Sequence, residues 1–179
     1  MIINKYKKQY YILGKGSNIL LLRHYYNRVL IKLNVKESKS PFIVNASDSV
    51  AYLNNKFIKD GIETLNFLTS VPCSMGGAIY MNAGAFSKSI KDVIEYVYIF
   101  SLDDYKFKVL NNEECNFLYR DSYFRHNNVL ILGAKIKLIY DDSNKINKEY
   151  KKYLKLARKV SKVPLSVSDI DLKTILEID

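Results

Sequence analysis

The sequence predicts an α+β domain in which short strands outnumber helices. Three observations predict it. Runs of β-branched and aromatic residues recur between polar turns, as in QYYIL at 9–13 and VIEYVYIFS at 93–101. Apolar residues fall at helical spacing in two long stretches, 50–60 and 144–160. No alternation of strand and helix marks a doubly wound parallel sheet.

Taken in order, residues 9–13 and 19–23 read as strands joined by GKGSN, a five-residue turn of residues that tolerate unusual backbone angles. VLIKL at 29–33 and FIV at 42–44 give two more strands. Ser47 or Asp48 caps a helix through VAYLNNKFIKD, which puts Val50, Leu53, Phe57 and Ile58 on one face and ends at Gly61. VIEYVYIFS and YKFKVL form a hairpin around the acidic turn LDD. A third strong strand begins near Asn128 in NVLILGAKIKLIY. The last helix spans 144–160, with Ile146, Tyr150, Tyr153, Leu154, Ala157 and Val160 on its apolar side, and Pro164 closes it.

Length and composition fit one globular domain: 179 residues, 48% apolar and 26% charged. No apolar run nears the roughly 18 residues of a spanning helix. The first residues carry charges where a signal peptide is apolar, so a cytoplasmic protein without membrane contact is expected. Cys73 and Cys115 make neither a disulfide framework nor a metal quartet, and no metal site is expected. The two cysteines read as apolar fillers. His24 and His126 read as surface or edge residues.

The net charge is +10, and of 28 basic residues only Arg23, Arg28, Arg120, Arg125 and Arg158 are arginine. Lysines occur along nearly every segment and travel with many Asn, Ile and Tyr. Nucleic-acid readers favour arginine and cluster charge on one face, so no nucleic-acid partner is expected. An attraction for anionic small molecules remains.

Three segments carry candidate chemistry. In LGKGSN, Gly14, Lys15, Gly16, Ser17 and Asn18 form either a plain hairpin turn or a nest of backbone N–H groups for a phosphate. The spacing is neither the dinucleotide fingerprint nor the P-loop. The uncharged stretch SVPCSMGGAIYMNAGAF at 70–86 holds three of the seven glycines. Its residues Ser74, Met75, Gly76, Gly77 and Ala78 start a short helix whose free N–H groups face a ligand, and Asn82, Ala83 and Gly84 form a second close approach. Tight packing of small residues is the equal alternative for this stretch. In FLYRDSYFRH, Arg120 beside Asp121 reads as a carboxylate clamp or as a surface ion pair. No Ser-His-Asp arrangement or carboxylate pair stands out.

In this order, ILGKGSNILL, GIETLNFLTSVPCSMGGAIYMNAGAF and CNFLYRDSYF resemble the segments of the UDP-N-acetylenolpyruvoylglucosamine reductases, over about residues 11–140. The resemblance implies an FAD-binding domain of the vanillyl-alcohol oxidase (PCMH) type, with strands and two or three packed helices. It implies residues 1–142 as that domain, shortened at its N-terminus, and 143–179 as a helix and tail leading toward a substrate domain. It implies FAD held by the two glycine loops, Pro72 included, with NADPH as hydride donor. The implied substrate is a UDP-sugar enol ether of peptidoglycan synthesis. Arg120 matches the family's active-site arginine, which grips the substrate carboxylate and stabilises enolate-like charge. Tyr119 lines the substrate pocket beside it. Cys73 and Ser87 stand where glycines are usual, and Arg125 where lysine is common. ARKVSKVPLSVSD resembles the lead into the family's serine-rich loop, but that loop's motif does not follow, and neither Ser166 nor Ser168 takes a proton-donor role. The resemblance therefore implies a shortened reductase, with a second chain or oligomer as a partner that covers the missing domain; the alternative is a non-catalytic flavin- or nucleotide-binding remnant, or one part of a two-chain enzyme.

Overall fold

A computed structural model describes residues 10–19, 27–35 and 40–160. The expected strand at 19–23 falls outside them from residue 20 onward, as do His24 and the tail from residue 161.

The centre is a four-stranded antiparallel sheet in the order β3-β8-β6-β7. Its strands are β3 (Ile43–Asn45), β6 (Ile94–Ser101), β7 (Phe107–Asn111) and β8 (Val129–Ile136). β6 and β7 make the expected hairpin, with Phe100 opposite Phe107. β6 alternates inward and outward from Val97, and a register shift between Ile94 and Tyr96 turns Ile94 inward too, so Ile94, Val97 and Ile99 are buried with Ile131, Ala134 and Ile136 of β8. Apart from this sheet, β1 (Tyr10–Ile12) pairs in parallel with β2 (Val29–Ile31).

Four α-helices are described, one more than the expected two or three: α1 (Val50–Lys59), α2 (Met75–Tyr80), α3 (Tyr123–His126) and α4 (Ser143–Val160). The extra one is α3, too short to leave a periodicity in FLYRDSYFRH. In α1 the expected face is buried, and Gly61 follows with φ +72°. Its N-cap is Ser49 rather than Ser47 or Asp48. The Asp48 carboxylate instead accepts from the Asn45 N–H at 2.8 Å, and the Ser47 hydroxyl accepts from the Val35 N–H at 3.2 Å. α2 lies on β3 and β8, while α1 and α4 lie together against a 3-10 turn at Asn66–Leu68. Ile146 and Tyr153 bring α4 into the buried interior.

A second, small hairpin joins β4 (Gly84–Ala85) to β5 (Lys88–Ser89). Its two central residues, Phe86 and Ser87, have φ of +53° and +65°, conformations that favour Asn-Gly. The Phe86 ring stacks on Tyr153 at 4.1 Å and 14°, which offsets part of that strain. Among the described residues no helix is long and apolar enough to cross a membrane, and no group of three potential metal ligands occurs.

Candidate functional site

The three segments singled out in the sequence meet at α2, two of them at its ends and one forming it. Its N-cap Ser74 is extended, and the Ser74 hydroxyl accepts from the Gly77 N–H at 3.3 Å. The loop at 14–18 closes over this end. A Cβ on Gly14 would lie 2.8 Å from Ser74 Oγ and 3.8 Å from Gly77 Cα, so only glycine lets the loop sit this close. Lys15 then reaches across, its ammonium donating to the Ser49 hydroxyl at 2.6 Å. Ser49 and Ser74 also form an antiparallel bridge, which sets the starts of α1 and α2 side by side.

The N–H groups opening α2 are not free for a ligand, contrary to the sequence expectation. Met75 donates to the Asp48 carbonyl and Gly76 to the Ala46 carbonyl, each at 2.9 Å. Gly77 donates to its own cap and Ala78 to the Ser74 carbonyl at 2.8 Å. The chain at 46–48 runs along the helix start and takes the donors that would otherwise face outward. A Cβ on Gly76 would meet Ala46 Cβ at 2.9 Å, and one on Gly84 would meet the Lys88 carbonyl at 2.7 Å. At these two positions the close approach is to the protein itself. Met75 and Ala78 are 0% exposed and Ala83 is buried with them, so their side chains belong to the core. Pro72, Lys15, Ser17 and Asn18 are exposed.

At the other end, buried Asn82 holds two segments together from a left-handed backbone, φ +41°. Its side-chain amide donates to the Leu118 carbonyl at 2.7 Å, and its carbonyl accepts from the Lys91 N–H at 3.2 Å. The Ser122 hydroxyl, 1% exposed as a residue, donates to the Tyr80 carbonyl at 2.7 Å. These bonds fix the turn that carries Tyr119 and Arg120. Leu118 and Asp121 exchange backbone hydrogen bonds across it, at 3.0 and 3.3 Å. Arg120 sits at φ +53° and Tyr119 is 92% exposed.

Asp121 does not hold the Arg120 guanidinium. Its carboxylate lies 2.9 Å from His126 Nε2 and 3.9 Å from Arg125 Nε. The His126 contact, more than any other, lowers the Asp121 pKa below its usual value. Arg125 in turn donates from Nη1 to the Arg120 carbonyl at 2.7 Å. Asp121 is thus partnered by His126 and, at i+4, by Arg125. His126 is an exposed residue with that acid as its partner.

Sequence reasoning passed over Ser49, Asn82 as a bridge, Ser122 and Arg125. Only the i,i+4 spacing of Asp121 and Arg125 left a signal. Cys115 is buried and Cys73 half-buried; burial pushes their thiols up to about 12 and about 11. Neither is a nucleophile near neutral pH.

No family model matches the chain. Among curated proteins, the UDP-N-acetylenolpyruvoylglucosamine reductase of Bacillus pumilus is 32% identical over 162 residues, 84% of this chain and 53% of that protein. The reductase of the same name from Bacillus subtilis is 31% identical over 84% of the chain and 54% of its own length. Among solved structures, the crystal structure of UDP-N-acetylenolpyruvylglucosamine reductase (MurB) from Thermus caldophilus superposes with a TM-score of 0.76 at 27% identity. That match covers 88% of this chain and 59% of the other. The chain thus spans a little over half the length of these relatives. Over that span the chain is MurB-like, similar to the UDP-N-acetylenolpyruvoylglucosamine reductases.

Proposed function

We propose that this chain forms the flavin-binding part of a UDP-N-acetylenolpyruvoylglucosamine reductase, a cytoplasmic enzyme with a domain of the vanillyl-alcohol oxidase (PCMH) type. The supporting observation is the convergence on α2: the glycine loop at one end, the Tyr119–Arg120 turn at the other. The residues present fit a dinucleotide at the loop end, because Gly14 leaves no room for a Cβ there. That presses the loop backbone onto α2 and leaves Lys15, Ser17 and Asn18 outward. These three, with Ser49, would hold the pyrophosphate of FAD. Gly16, Pro72, Ser74, Gly77, Asn82 and Gly84 shape the surrounding wall, with Met75, Gly76, Ala78 and Ala83 supporting it from behind.

FAD, when bound, supplies the hydride chemistry between NADPH and the enolpyruvyl double bond of the UDP-sugar. Arg120 grips the enolpyruvyl carboxylate and stabilises charge that develops next to it. Tyr119 lines the same pocket.

Absorbance during FAD titration tests the cofactor. Lys15→Gln with Asn18→Ala should weaken binding about 10-fold, the worth of one charge-assisted hydrogen bond. A wild-type chain that never acquires flavin absorbance with excess FAD would end the proposal. A second reading, a chain that binds FAD but needs another polypeptide for turnover, draws on the exposure of Tyr119 and Arg120. NADPH oxidation with the enolpyruvyl substrate separates the two: turnover by this chain alone removes the second reading.

A further inference from the structure

Lysines occur along nearly every segment, but the net positive charge is densest on one helix. Helix α4 carries Lys145, Lys148, Lys151, Lys152, Lys155, Arg158 and Lys159 against a single acid, Glu149, a net of 7 − 1 = +6. The whole chain has +10. One 18-residue helix therefore holds more than half of the net charge.

Off the helix, Lys88 pairs with Glu63, Lys108 with Asp104 and Lys135 with Glu95, and at the helix start Lys145 pairs with Asp141. The six cations from Lys148 onward have no ion-pair partner among the described residues, and all six are exposed. The one acid of the helix is turned inward, where Glu149 accepts from Tyr153 at 2.8 Å and from Asn66 at 3.3 Å.

At 100° per residue these six side chains fall within an arc of ~120°, centred opposite Ile146 and Tyr153, and run ~17 Å along the axis. Arg158 and Lys151 edge one flank, Lys152 and Lys159 the other, with Lys148 and Lys155 between them. Like charges three and four residues apart repel each other along the whole stripe. The helix macrodipole relieves this only in the last turn, at Arg158 and Lys159. A partner that supplies phosphates on both flanks would relieve it throughout.

We propose that the outer face of α4 is a sequence-independent docking surface for the phosphate backbone of duplex nucleic acid. A convex rod with cations on two flanks and a central row matches two phosphate rows across a groove. Lysine in place of arginine suits contact with phosphates without base reading. Insertion into a lipid surface needs a free apolar face, and on α4 Ile146 and Tyr153 are buried in the fold, which leaves Leu156 as the exposed large apolar residue among those described.

The test is fluorescence anisotropy of the full chain with a 20-bp duplex across a salt series. If four to six phosphates are engaged, log affinity falls with log salt at a slope of about −4 to −5. Replacing Lys148, Lys151, Lys152 and Lys155 by Gln should cut that slope by about 3 and the affinity at low salt at least ~100-fold. A control with Lys88, Lys91, Lys106 and Lys135 changed to Gln has the same net charge and should retain most of the wild-type slope. Circular dichroism confirms folding of both variants. Equal loss in the two variants reduces the effect to net charge and overturns the proposal. So does absence of duplex binding at low salt, or binding to anionic vesicles alone.

Discussion

At its N-terminal end α2 meets its neighbours backbone to backbone, and at its C-terminal end it meets them through side chains. Around Ser74 and Gly76 the donors are consumed within the fold and the spacing is set by missing Cβ atoms. Around Tyr80 and Asn82 one amide and one hydroxyl reach across to a turn whose key residue is left-handed. The first end is a wall whose shape any added carbon alters. The second is a bracket that holds two side chains out. A surface for lying against a cofactor and a surface for gripping a substrate group call for these two kinds of construction.

The largest effect is expected at the wall. Gly76→Val puts a branched side chain where even a Cβ would be 2.9 Å from Ala46 Cβ and 3.1 Å from its carbonyl oxygen. Neither neighbour is the free end of a flexible chain, so β3 and α2 must separate. Overpacking of this kind costs about 3 kcal/mol. Urea unfolding measures it, and a loss below about 1 kcal/mol would show that the wall yields.

The bracket should give less. Asn82→Ala removes the bonds to Leu118 and Lys91, leaving the Lys91 N–H without its acceptor and the Leu118 carbonyl with the Asp121 N–H alone, at a cost of about 2 kcal/mol. The specific sign is local: amide exchange at Asp121, whose N–H closes the turn, should speed up more than exchange in β6. Uniform acceleration would mean that Asn82 supports the core rather than the turn.

How much of this was legible follows the same division. Periodicity exposed α1 and the β6–β7 hairpin, because each repeats its pattern over several residues. The motifs LGKGSN, MNAGA and YRDS marked the right places but not what fills them. That the α2 N–H groups are spent depends on the chain at 46–48, which lies nearly thirty residues away in sequence. The β4–β5 hairpin was hidden because Phe86 and Ser87 occupy positions where Asn-Gly would have announced it. The partner of Asp121 was misread because adjacency in the sequence pointed to Arg120, whereas Arg125 and His126, four and five residues on, make the contacts.

A smaller effect, about 1 kcal/mol, comes from the hydrogen bond that Tyr153 donates to Glu149 one turn back along α4. Burial first, then the hydrogen bond to Glu149, raises the Tyr153 phenol to about 12. The neutral phenol is thus favoured in the folded state. Its contribution is complete below about pH 10, the unfolded value, and is lost as pH rises through about 12. Tyr153→Phe should lose the bond to Glu149 at neutral pH and flatten the fall in stability between those limits. An unchanged alkaline limb would assign the fall to other tyrosines.

The smallest effect on stability is expected where the effect on function is greatest. Arg120 holds a left-handed conformation that costs an L-residue about 1–2 kcal/mol. Arg120→Gly removes that strain, but glycine adds about 0.5–1 kcal/mol of unfolded-chain entropy. The bond from Arg125 Nη1 to the residue 120 carbonyl needs no side chain at position 120 and survives. Net stability should therefore move by less than about 1 kcal/mol. Binding of the enolpyruvyl substrate, followed by calorimetry, should weaken about 10–100-fold, the worth of a charged hydrogen bond. Lysine at the same position keeps the charge but loses the fork that matches a carboxylate, and should recover only part of the loss. Full affinity in the glycine variant would leave the bracket intact and remove Arg120 from the substrate. A large loss of stability would instead mean that the exposed turn is braced by the Arg120 side chain as well as by its backbone.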